Sequence, residues 1–213
     1  MSLNRPGKQT NKQGTTLKRT ILILASAIAI TSCASVPVTI NYYMLPAATQ
    51  KHNVVTKPVP SLLIEHIELS DYLTQPGLVL QTSPNKLHIS KSNLWAERLD
   101  KALPKALQNS LHQRSDQYSY YLNHPAHTHQ PDLRVRLRVD SLHPTTDGLA
   151  IASGRYQLTM AKTQNKPIIK YFYFERALDD DGYEASVKEM DILIDLIAQD
   201  ILHTVQTHFT VSD

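Results

Sequence analysis

Apolar and polar positions along the chain follow two different periods, and the changes of period mark the elements. Asn41–Pro46 reads as a short first strand. Ser61–Leu69 is rich in apolar and β-branched residues and predicts a strand. Leu78–Gln81 and Leu87–Lys91 predict two more, divided by the turn signal Pro84-Asn85-Lys86. Over Trp95–Arg114 the period lengthens. Leu99, Leu103, Ala106, Leu107 and Leu111 recur at three- and four-residue steps, the stripe of an amphipathic helix. Ser92 or Asn93 is its expected cap, Glu97 lies near the positive end of its dipole, and Trp95 reads as a core anchor at its start. Pro104 predicts a kink, or a regular helix that begins near it.

After a Tyr/His-rich stretch over 116–130, expected to hold a short strand and a loop, Leu133–Val139 alternates strictly. One side is apolar and the other carries Arg134, Arg136 and Arg138, which predicts a half-buried strand. Leu149–Lys162 and Pro167–Ala177 complete an antiparallel meander. The final helix is expected from Tyr183 to His208, with Val187, Met190, Leu193, Ile194, Ile197, Ile201, Val205 and His208 along one stripe. The fold class that follows is α+β: an antiparallel sheet with two amphipathic helices packed on one face.

The first forty residues obey neither period. Lys18-Arg19 precede the apolar run Ile21–Ile30, and small residues then lead to Cys33, the layout of a secretory signal. The run is too short to cross a bilayer, which takes about 20 apolar residues. Ile30-Thr31-Ser32-Cys33 resembles the lipobox of bacterial lipoproteins, and Cys33 is the only cysteine. The resemblance implies cleavage before Cys33, acylation of that residue with chains such as palmitate, and, with Ala34 where Asp would signal retention, the outer membrane. A soluble protein cleaved near a chance cysteine and a short uncleaved anchor are the alternatives. The division expected is signal peptide 1–32, lipidated tether 33–41 and one domain over 42–213. Nine steps from Cys33 to Tyr42 span at most about 30 Å, which would keep the domain close to its membrane.

Removing the signal changes the charge. Of 22 basic residues five lie in the signal, which has no acid, so 17 remain against 19 acids, a formal charge of −2. A nucleic-acid partner loses its main support. The sequence offers no nucleophile elbow, no phosphate-binding glycine loop and no His-Glu-x-x-His, so no enzyme is expected and no cofactor. His124, His127 and His129 are candidate metal ligands, with Asp132 or His143 as possible additions. A solvated loop is the preferred reading, with no metal. The three arginines are either a face paired with acids on neighbouring strands or a contact for an acidic partner or lipid head groups.

Several stretches in order resemble one family: Tyr42-Tyr43-Met44-Leu45, Leu69–Val79 containing Tyr72, and Trp95-Ala96-Glu97-Arg98-Leu99-Asp100 before the leucine-spaced stripe. They are similar to the ABC-type transport auxiliary lipoproteins, the PqiC/YmbA-like group, departing at Ser70 and Thr74 in one loop. The resemblance implies an outer-membrane lipoprotein facing the periplasm, self-associated as a homo-oligomer. It would dock an MCE-domain protein of the periplasm and inner membrane in lipid movement between the membranes. Tyr72, Arg134, Arg136 and Arg138 are the candidates for partner binding. The alternative function is a lipid-carrying or self-assembling envelope lipoprotein without an MCE partner.

Overall fold

The computed structural model describes residues 37–46, 58–123, 130–160 and 166–209. Eight strands and two helices follow in order, with β1 at Asn41–Tyr43, β2 at Ser61–Leu69, β3 at Gly77–Ser83 and β4 at Lys86–Trp95. Helix α1 spans Leu99–Arg114 and β5 spans Ser119–Leu122. The meander is β6 (Leu133–Pro144), β7 (Leu149–Met160) and β8 (Ile168–Ala177), and α2 closes the chain at Tyr183–His208.

The strands form two sheets, β1-β4-β3 and β5-β2-β6-β7-β8. The α+β class holds, but the sheets are mixed. β6, β7 and β8 pair antiparallel as expected, whereas β5, β2 and β6 run parallel, as do β1 and β4. A parallel neighbour requires a crossover. Between β2 and β5 it consists of the β3–β4 hairpin and α1, so the chain returns to the β2 edge in the direction it left. Gln81 bridges Thr145, which joins the hairpin to the end of β6.

One face of the larger sheet is covered. Leu133, Val135, Leu137 and Val139 of β6 are buried with Ala150, Ala152, Tyr156 and Leu158 of β7. Against them lie Val187, Met190, Leu193, Ile194, Ile197, Ile201 and Val205 of α2, while Leu99, Leu103, Leu107 and Leu111 are the buried leucines of α1, which packs over β2 and β5. His208, expected on that stripe, is exposed at the frayed end. Arg114 also forms an ion pair with Asp195, tying the two helices together.

Helix α1 starts later than expected. Trp95 is the last residue of β4, paired with Tyr43 and buried, so it is a core residue but not a helical one. Ser92 and Asn93 lie in β4, where the Ser90 hydroxyl accepts hydrogen bonds from both backbone amides at 3.3 and 2.9 Å. Arg98 is the N-cap position, with no side-chain cap. Glu97 instead forms an ion pair with Lys105 at 2.5 Å. The helix runs through Pro104 from Leu99, so its regular part does not begin there. The missing N–H leaves the Asp100 carbonyl without its helical partner.

Candidate docking surface

The other face of the five-stranded sheet carries the side chains that the helices do not cover. Strict alternation puts Arg134, Arg136 and Arg138 there, about 7 Å apart along β6. Parallel pairing with β2 sets His66 beside Arg136 and Glu68 beside Arg138. A register shift between Ile64 and His66 places Glu65 at a bulge, within reach of two arginines. Arg136 holds it in a fork at 2.8 and 3.0 Å, and Arg134 approaches it at 3.8 Å. The Arg136 hydrogen bond holds the Glu65 carboxyl below its usual range, against the upward push of burial. Arg138 bonds Glu68 at 2.6 Å and Asp140 at 2.8 Å. The arginines therefore form a ladder with the acids of β2 and the end of β6.

A second register shift, between Val139 and Ser141, makes Asp140 an extra residue in β6. Its carbonyl accepts a hydrogen bond from the Tyr72 hydroxyl at 2.6 Å, and its carboxylate accepts from Arg138. Tyr72 sits on a single 3-10 turn, Asp71–Thr74, with its ring 6.0 Å from that of His143. Burial pushes the Tyr72 phenol up and the buried His143 down. Tyr72 and Arg138 are thus brought together through Asp140. Arg134 and Arg136 belong to the Glu65 end of the ladder.

Two features of this face carried no functional label in the sequence. Arg155 of β7 pairs with Arg138 in register and makes no ion pair among the described residues. Arg155, Arg136, Arg138, His66, Glu68 and Ile169 line a depression of about 250 Å³. Beside it, on edge strand β8, Ile169, Tyr171 and Tyr173 stand 54–72% exposed at alternate positions. The alternation was visible, but β8 is apolar on both sides (Ile168, Phe172 and Phe174 face the helices), so periodicity could not tell the open side from the covered one.

No group of three or more His, Cys, Asp or Glu among the described residues is arranged to hold a metal. Cys33, His124, His127 and His129 lie outside the described residues. His143 is enclosed, with Nδ1 3.2 Å from the Pro144 carbonyl, and Asp132 is bound to the Ser61 amide and hydroxyl at 2.9 and 2.8 Å. Both side chains are occupied in packing β6 against its surroundings. No helix of the described residues is long and apolar enough to cross a membrane.

Residues 43–202 match the family described as the ABC-type transport auxiliary lipoprotein component. The intermembrane transport lipoprotein PqiC of Escherichia coli K12 is 31% identical over 170 residues, covering 78% of this chain and 87% of that one. The protein of the same name from Shigella flexneri matches to the same extent. A crystal structure of an uncharacterized protein, 26% identical, superposes with a TM-score of 0.66 over 78% of this chain and 99% of its own. A Xanthomonas campestris structure, 12% identical, shares the fold at a TM-score of 0.58, covering 78% of this chain and 94% of its own.

Proposed function

The chain belongs to the ABC-type transport auxiliary lipoprotein family, and from that premise we propose that it is a lipid-anchored envelope protein that docks a partner in intermembrane transport. In this reading Cys33 carries the acyl chains, the anchor is in the outer membrane, and the domain faces the periplasm. The partner is an MCE-domain protein, met by a self-associated assembly of this chain. The role is docking rather than catalysis.

The observation that carries the docking reading is the uncovered face of the five-stranded sheet. An antiparallel sheet region can face water on one side, and such a face is usually polar throughout. Here the Arg136–Glu65 and Arg138–Glu68 ladder adjoins Arg155 and three exposed apolar side chains on an edge strand. A mixture of arginine and tyrosine is the composition of protein interfaces. The alternative, a lipid carrier, finds less support. The depression beside Arg155 measures about 250 Å³, and a second, lined by Leu63, Tyr121 and Asp132, about 340 Å³. The first lies below and the second just above the low end of pockets for single small ligands, roughly 300 Å³, small for a lipid with two acyl chains.

The test is an affinity capture of the tagged protein from detergent-extracted membranes, with co-purifying proteins identified by mass. An MCE-domain protein should be recovered with the native chain. Recovery should fall at least tenfold when Arg134, Arg136 and Arg138 are all changed to Glu, because the ladder would then present only negative charge. Recovery of no MCE-domain protein with the native chain would overturn the partner. Recovery unchanged by the triple substitution would move the docking site off this face.

A further inference from the structure

A second exposed apolar stripe lies on the smaller sheet, at β1. Strand β1 (Asn41–Tyr43) and the residues flanking it alternate in what their side chains meet. Leu45 is buried in the core. Tyr43 packs its ring 6.0 Å from that of Tyr183 and gives its hydroxyl hydrogen to Asn93 at 3.3 Å. The intervening positions, Ile40, Tyr42 and Met44, are 50–65% exposed. The segment is therefore held to the domain by one side while its other side is apolar and unpartnered among the described residues.

We infer that Ile40, Tyr42 and Met44 form a membrane-contact stripe that rests in the surface of the bilayer holding the chain. The inference depends on the proposed acylation of Cys33. Seven steps lead from Cys33 to Ile40, at most about 25 Å of extended chain, so an anchored Cys33 keeps the stripe within reach of the lipid surface. No formal charge occurs between Cys33 and Gln50, so no ammonium or carboxylate has to be dehydrated on approach. Tyr42 suits the interface, with an apolar ring and a hydroxyl that can stay wet.

A strand partner is the poorer occupant. β1 has three residues and pairs only with β4, so its free edge offers few hydrogen bonds to another chain. The long edge β8 is a far better template. A lipid surface asks for no hydrogen-bond register; it needs apolar side chains on one side of a segment whose other side is fixed.

Photo-crosslinking in intact envelopes tests this on the full chain. Tyr42 is replaced by p-benzoylphenylalanine in one strain and Tyr171 in another, and the irradiated proteins are weighed. Position 42 should gain the mass of one phospholipid, and position 171 should not. Three results would overturn the stripe: an adduct of two chains at position 42, an adduct with another protein there, or no lipid adduct there on a chain whose mass shows Cys33 acylated. The same mass separates the two readings. A lipid adduct on an unacylated chain would keep the stripe and remove the anchor, and an unacylated chain without an adduct would remove both.

Discussion

At the scale of single residues, Gly154 makes the ladder possible. It lies opposite Val139, where β6 takes its extra residue, and a Cβ there would overlap the Arg138 carbonyl oxygen and come within 2.9 Å of Phe172 Cζ. The bulge brings Asp140 to both Arg138 and Tyr72, and only a residue without a side chain lets β6 and β7 stay that close. Gly154→Ala should therefore lower stability by about 2–3 kcal/mol, read as a lower urea midpoint at unchanged slope. A loss below about 0.5 kcal/mol would mean that the strands can part without cost. The arginine face was legible, because three arginines alternating with four apolar residues allow only one arrangement in a half-buried strand. Their partners were not. Glu65 reaches two arginines only because β2 slips register beside it, and nothing in the spacing of Ser61–Leu69 announces that slip.

At the scale of elements, β8 is fastened to α2 by polar contacts as well as by packing. Lys170 bonds Asp200 at 2.6 Å, and the Tyr156 hydroxyl of β7 donates to the same carboxylate at 2.7 Å. Arg176 bonds Glu189 at 2.6 Å, and Glu189 is almost wholly buried. Removing the arginine alone leaves a buried charge without its partner, which costs more than the pair contributes. Arg176→Met should lower the urea midpoint at unchanged slope, and Arg176→Met with Glu189→Leu should recover most of the loss. If the double variant is no better than the single one, the pair is not the source of the loss. The two ends of α2 were legible because its stripe is long and Gly182, at φ 105°, stops the preceding chain. The start of α1 was not. Trp95 falls in step with Leu99, so strand end and helix start merge into one apparent stripe across the break at 96–98.

At the scale of the whole molecule, periodicity predicted which side of β6 is buried, but not which side of β8, nor which strand lies beside which. The antiparallel meander was readable because short turns connect its members. The parallel β5-β2-β6 group depends on a crossover through a hairpin and a helix, and no local pattern encodes that. The proposed attachment of the molecule, by contrast, rests on one residue, Cys33. Cys33→Ala should shift the protein from the membrane to the soluble fraction, or leave it as an uncleaved precursor recognised by its mass. A cleaved variant that still sediments with membranes would remove lipidation as the anchor.

The open edge of β8 has a consequence for the protein before it reaches its place. Ten residues, Ile168–Ala177, keep unbroken register with β7 and contain no proline. Lys170 points toward Asp200 and Arg176 toward Glu189, which leaves Glu175 as the one charge on the exposed side of this strand. Among the described residues no strand caps this edge, so it can act as a template for an extended polypeptide, and the tendency to join rises with crowding. In colloidal terms an edge of this kind favours dispersal when dilute and adhesion when concentrated. Such a molecule is safest when it travels alone.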